Sequence, residues 1–150
     1  LGIGGFGCGL DTAGQAICWG SNAEGAVGTQ ETGIVQEPVV VVGGLRFKAI
    51  AVGGFHACGL DLDGFAFCWG WNQSNALGTE LPVEQSFAPL PVATDRQFSD
   101  IAAGYQYTCA VDADGELWCW GSDMHGKLGT YERSEDWVEV PGSSLLEEEP

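Results

Sequence analysis

Apolar and polar positions alternate along this chain in a way that predicts β-hairpins with both faces covered. Opposing Cys8 to Cys18 puts Asp11 across from Gln15 and leaves Thr12, Ala13 and Gly14 as a three-residue loop. Such a loop ends best on a residue with positive φ, which glycine adopts at little cost. One face of the hairpin then carries Cys8, Leu10, Ala16 and Cys18, and the other carries Gly9, Ile17 and Trp19. The same reading gives Cys109, Val111, Leu117 and Cys119 against Ala110, Trp118 and Trp120 further along. Apolar residues on both faces predict a sheet covered on both sides, not a hairpin lying on a surface. Small residues (Gly9, Gly59, Ala110) stand opposite large ones (Ile17, Phe67, Trp118), as close packing requires.

The hairpin recurs, and the recurrence organises the chain. Asp-x-x-Gly lies at 11–14, 61–64 and 112–115, followed by Trp19-Gly20, Trp69-Gly70 and Trp120-Gly121. A glycine-punctuated stretch follows each: Asn22, Gly25, Gly28; Asn72, Leu77, Gly78; Asp123, Gly126, Gly129. Next comes a segment of Pro and Val at Pro38-Val39, Pro91-Val92 and Val140-Pro141. The first two copies close on Phe-x-x-Ile, at 47–50 and 98–101. A fixed period of this size marks a repeat architecture. The expected units are 1–50, 51–101 and 102–142, with an acidic tail at 143–150.

All six cysteines fall in the hairpins, as Cys8/Cys18, Cys58/Cys68 and Cys109/Cys119, ten positions apart within each pair. Opposed residues on antiparallel strands have Cα atoms about 4.5–5.5 Å apart, and a disulfide needs roughly 4.4–6.8 Å. The register therefore permits a bond inside each unit, contributing roughly 2–3 kcal/mol on the chain-entropy model. Six cysteines allow fifteen pairings in principle; the threefold recurrence favours the local one. Zinc is a rival, but its ligands usually arrive as closer pairs, and no Cys-x-x-Cys occurs. Reduced, buried thiols are the remaining alternative.

The pattern Gly-x-x-x-x-Cys-x-Leu-Asp-x-Asp-Gly-x-x-x-Cys-Trp-Gly-x-Asn, read from Gly53 to Asn72, resembles the repeat of the regulator of chromosome condensation family. It is most similar to the cysteine-paired variants of bacterial secreted proteins and of Crinkly-type plant receptor ectodomains. The resemblance implies an all-β protein whose units are blades of a β-propeller, in a family built from about seven four-stranded blades. It says little about function, because the family's scaffold serves exchange factors, enzyme inhibitors and receptor modules alike.

Three blades are too few to close a propeller. Two expectations follow: the chain is a piece of a longer propeller, or it is a processed subunit that assembles with copies of itself. One end would then supply the strand the other lacks, and deleting Leu1 to Gly4 would weaken the contact. Two chains would make a six-bladed ring, and a contact that does not close would make a filament.

With 150 residues, 45% of them hydrophobic, the chain can bury a core. Its net charge of −16 leaves only Arg46, Lys48, Arg96, Lys127 and Arg133 as basic residues, and these are scattered. Nucleic-acid binding needs clustered Lys and Arg to neutralise phosphates, so it is not expected. No apolar run approaches the length of a membrane span. Paired cysteines point to an oxidising compartment, hence to a secreted or cell-surface protein.

Candidate chemistry is sparse. Asp61-Leu62-Asp63-Gly64 and Asp112-Ala113-Asp114-Gly115 look like the start of a calcium loop, but the further oxygen ligands are lacking and Asp11-Thr12-Ala13-Gly14 lacks the second Asp. They read as turns in which Asp caps backbone amides. His56 and His125 occupy different repeat positions and read as isolated polar residues. No nucleophile elbow, phosphate loop or dinucleotide fingerprint occurs. No catalytic residue, metal or cofactor is expected. Trp19, Trp69 and Trp120 share one position and read as packing between blades. Trp71, Trp137, Tyr105 and Tyr107 do not recur strictly, and interface anchors are rich in Trp and Tyr, so these are the candidate binding residues. Gln30–Gln36 and Glu80–Ala88 are the variable loops where binding would be grafted. The expected function is a non-catalytic, extracellular module for protein–protein interaction, including self-assembly. The alternatives are a filament or sheath subunit, a fragment of a guanine-nucleotide exchange factor, and a glycan-binding module.

Overall fold

Each hairpin forms in the register that the alternation predicts. In the computed structural model, which describes residues 5–129 and the short strand Val138–Glu139, Cys8 opposes Cys18, Cys58 opposes Cys68 and Cys109 opposes Cys119. Gly9 faces Ile17, Gly59 faces Phe67 and Ala110 faces Trp118. Trp137 and the tail 143–150 lie outside the described residues.

Three antiparallel sheets result. The first has three strands: β1 (Phe6–Leu10), β2 (Ala16–Ser21) and β3 (Ile34–Val40). The second has four: β4 (Phe47–Val52), β5 (His56–Asp61), β6 (Ala66–Trp71) and β7 (Gln85–Pro91). The third comprises β8 (Phe98–Ala103), β9 (Tyr107–Asp112), β10 (Leu117–Gly121) and β11 (Val138–Glu139). In each sheet the strands lie side by side in chain order. The Phe-x-x-Ile segment that closes a sequence copy opens the following sheet, because β4 pairs with β5 and β8 with β9. Sheets and sequence copies are thus offset by one strand. These are blades of a propeller, and the described sheets do not close into a ring.

Large side chains fill the two spaces between blades. Phe6, Val27, Val35, Val41, Phe47 and Trp69 form the core between the first and second sheets. Leu60, Leu77, Val92, Phe98 and Trp120 form the core between the second and third. Trp69 donates its indole N–H to the Ala26 carbonyl at 3.0 Å, and Trp120 repeats this on Ala76 at 3.1 Å. Each Trp therefore ties its blade to the preceding one while its ring is removed from water. The inner strands are tied to the preceding hairpin turn as well: Phe47 N–H donates to the Gly14 carbonyl at 2.7 Å and Phe98 N–H to Gly64 at 2.8 Å.

All six cysteines are joined within their hairpins, at Cα separations of 4.1, 4.0 and 4.1 Å. The glycine-punctuated loops have an anchor of their own. Buried Asn22 accepts the Val27 N–H and donates to the Thr29 and Glu31 carbonyls. Asn72 does the same with Leu77 and Val83, and Asp123 accepts the Leu128 N–H.

Candidate interaction surfaces

The Asp residues of the hairpin turns are occupied by their own backbone. One oxygen of Asp11 accepts the N–H groups of Ala13 and Gln15, at 2.9 and 2.8 Å. Asp61 and Asp112 do the same in their turns. No cluster of three or more metal-ligating side chains exists among the described residues. Asp112 is further engaged: its other oxygen accepts from the Trp118 indole at 3.0 Å and pairs with Arg96 at 3.1 Å, while the Arg96 guanidinium lies 3.7 Å over the Trp118 ring. Burial alone would raise the Asp112 carboxyl. The Glu116 N–H, the Trp118 indole, the Asp114 N–H and the Arg96 charge outweigh it and hold the group below the usual carboxylate range.

His56 is not the isolated polar residue that its sequence position suggests. It is 1% exposed, and its Nε2 lies 2.8 Å from the Thr108 hydroxyl, which belongs to the neighbouring blade. Burial lowers its pKa from 6.5 to about 4, so it is neutral near pH 7. The ring is a polar rivet between the second and third blades.

Two of the four candidate aromatics come together. Trp71, at the end of β6, meets Phe55 edge-on with centroids 5.4 Å apart. Phe55 in turn meets Tyr105 edge-on at 5.2 Å. The result is a row of three rings across the second and third blades. Phe55 and Tyr105 sit in the turns that join β4 to β5 and β8 to β9, and the Gly54 N–H donates to the Gly104 carbonyl at 3.1 Å, joining those turns. Tyr107 stands apart from the row. It is half-buried at the start of β9, at the position of His56 and Phe6, with the Lys127 ammonium 5.6 Å from its ring.

A second surface lies at the inner side of the first sheet. In the second blade, a Cβ on Gly59 would stand 2.5 Å from the Phe47 ring of the inner strand. In the first blade, the corresponding Gly9 has nothing within 4 Å of its Cβ position. Among the described residues no ring stands over Gly9 as Phe47 stands over Gly59, and β1 pairs with no inner strand. Trp19 is half-buried where Trp69 and Trp120 are fully buried, and its indole has no acceptor among the described residues. Among the described residues the middle sheet has a blade on either side, which covers both of its faces as the apolar alternation predicts.

Stacked antiparallel blades of three and four strands, tied by a Trp and an inner Phe strand, define a β-propeller repeat protein. The model of the Regulator of chromosome condensation (RCC1) repeat matches residues 13–60 and 63–111, and a second model of the same description matches 47–76 and 98–126. The chain belongs to this repeat family. Among solved structures it is similar to Prp20p of Saccharomyces cerevisiae, described with its binding to Gsp1p and histones, at TM-score 0.79 and 20% identity over 91% of this chain and 36% of that one. It is also similar to human WBSCR16, at TM-score 0.73 and 21% identity over 77% of this chain and 30% of that one. The ectodomain of the Physcomitrella patens receptor kinase CR4 shares 30% identity at TM-score 0.54, over 77% of this chain and 26% of that one. The chain spans about a third of the length of the structures it matches most fully. No curated protein sequence matches it.

Proposed function

We propose that this protein is a non-catalytic, disulfide-stapled module for protein–protein interaction, and that it joins other units of its own repeat type, including copies of itself, through the blade-to-blade contact its own sheets use, with the inner edge of β1 as the receiving side. The observation that carries this reading is the contact its own blades share: an inner Phe strand (Phe47, Phe98) bonded to the preceding turn, and a Trp indole (Trp69, Trp120) bonded to the preceding blade. An exposed strand edge offers a row of unpaired N–H and C=O groups to another chain, and adding a strand to such an edge is an established recognition mode. The outer strands are protected in a way that β1 is not. Pro38 in β3 and Pro89 and Pro91 in β7 remove backbone donors from those edges, whereas β1 contains no proline. The half-buried Trp19 ring adds apolar surface to the same blade, where its counterparts are covered by a neighbour.

Three disulfides suggest an oxidising compartment, and among the described residues no helix is long and apolar enough to cross a membrane. Secretion to the cell exterior is part of the proposal. The similarity to Prp20p, at 20% identity, supports the fold alone, so binding of Gsp1p or histones is not carried over.

The experiment is the mass of the non-reduced chain by light scattering after size exclusion, beside Gly9→Lys. The open space at Gly9 accommodates a side chain in the monomer, while a charge there disfavours edge pairing. The proposal expects a discrete dimer that Gly9→Lys returns to the 15.8 kDa chain mass. A native chain that remains at 15.8 kDa at every concentration, or a dimer indifferent to Gly9→Lys, overturns the self-association.

A further inference from the structure

The row Trp71–Phe55–Tyr105 has features that packing between blades does not require. Its rings come from the end of β6 and from two separate turns, so it spans two blades. It is held rigid from below: a Cβ on Gly54 would stand 2.7 Å from both the ring and the backbone of Tyr105, so the two turns are in close contact. Yet Tyr105 remains 44% exposed, and Trp71 and Phe55 are half-buried. Beside the row, the side-chain amides of Gln106 and Gln73 hydrogen-bond across the blades at 2.7 Å. Met124, at the repeat position of Gln73 in the third blade, is 61% exposed.

Charge at this end of the blades has one sign. The strands alternate in direction, so the turns before β5 and β9 and the long loops after β2, β6 and β10 lie at the same end. Those loops carry Glu24, Glu31, Glu80, Glu84 and Asp123. Among the described residues of these connections the only lysine or arginine is Lys127, and it lies over the Tyr107 ring. Arg46 and Arg96 sit at the opposite end, in the connections leading into β4 and β8, and Lys48 reaches toward the Gly64 turn there. At the opposite end Asp11, Asp61 and Asp112 accept the N–H groups of their own turns, and Asp112 and Glu116 lie against Arg96.

We infer that the Trp71–Phe55–Tyr105 row is a docking site for an extended basic segment of another protein, whose Arg or Lys side chains lie against the rings while the acidic loops flank it. Cations are attracted to the faces of Trp and Tyr rings, and a clustered field of one sign draws the opposite charge and speeds encounter. A second copy of this chain is a poor occupant, because it has the same net charge of −16 and scattered basic residues. This inference does not depend on the β1 edge.

The test uses the full non-reduced chain and a labelled eight-residue peptide of alternating Arg and Gly, with fluorescence anisotropy as the readout. The variants are Tyr105→Ala, Trp71→Ala and, as a control, Phe65→Ala, an exposed aromatic at the opposite end. Circular dichroism confirms that each variant is folded. Binding is expected to be saturable, to weaken about tenfold in Tyr105→Ala and in Trp71→Ala, and to be unchanged in Phe65→Ala. An acidic peptide of the same length is expected not to bind. Absence of binding overturns the inference, as does equal weakening by all three variants, which would show only general attraction to an acidic surface. Competition of the peptide by a neutral β-linked glucan, with Trp71 fluorescence responding to the sugar, would overturn it in favour of a glycan site.

Discussion

Lowering the pH from 7.5 to 5 should loosen this protein chiefly through one residue. His56 is buried between two blades, and its folded pKa is about 4 against the usual 6.5. The unfolded chain therefore binds a proton between those values that the folded chain does not. The stability that neutral His56 contributes is present above pH 6.5 and is lost as the pH falls toward 4. With these two values the loss at pH 5 is about 2 kcal/mol, or roughly 4–8 °C in Tm for a chain of this size. The acids that accept hydrogen bonds, Asp112 above all, act in the same direction but at lower pH, since the Asp112 carboxyl is held below the usual range. Urea unfolding of the oxidised protein at pH 7.5 and 5.0 measures the effect, beside His56→Gln, which keeps a hydrogen-bonding side chain without the titration. The variant should start less stable yet lose about 2 kcal/mol less over the interval. If wild type and variant lose the same amount, the blade interface does not exclude the charged imidazole, and the reasoning fails.

Three further outcomes follow from the packing. Gly59→Ala should cost about 1–3 kcal/mol, because its Cβ meets the Phe47 ring at 2.5 Å, while Gly9→Ala should be near neutral for want of any neighbour within 4 Å; thermal melts of the pair decide it. Trp120→Phe removes the hydrogen bond to Ala76 and leaves that carbonyl only the long 3.5 Å contact from the Thr108 hydroxyl, for about 1–3 kcal/mol, whereas Trp19→Phe should cost less in chemical denaturation because Trp19 has no such acceptor among the described residues. Replacing Cys58 and Cys68 together by Ala should cost roughly 2–3 kcal/mol in calorimetry, since the loop they close is short.

The elements that could be read from the sequence are those set by local spacing. The hairpin register follows from the two-residue period of a strand, with Gly14, Gly64 and Gly115 at positive φ where the turn demands it. The capping role of Asp11, Asp61 and Asp112 is local too. What recurrence alone misses is whatever depends on neighbours. Trp19 shares its position with Trp69 and Trp120, yet among the described residues only the latter two lie against a preceding blade that buries them. Phe55 carries no recurring signal, because the same position holds Gly5 and Gln106; only the joined turns show that it bridges Trp71 and Tyr105. His56 escaped for a similar reason: Phe6 and Tyr107 stand at its position, and its partner Thr108 is fifty-two residues away. A signal was available in the companion repeat, where Ala57 is replaced by Thr108, a polar residue at a buried site.

The inner strands explain why the edge of β1 carries the account. Phe47 and Phe98 each engage two blades, through a backbone hydrogen bond to the preceding turn and through pairing with their own hairpin. A segment of this type is the natural complement of the inner edge of β1. The most direct measurement is therefore a titration of the oxidised chain with a synthetic peptide of residues 97–104, followed by backbone amide NMR. The account predicts saturable shifts concentrated in Phe6–Leu10 and the Trp19 indole, and their loss when the peptide's Phe98 is replaced by Ser. Shifts that are absent, scattered over the surface, or indifferent to that replacement would contradict it.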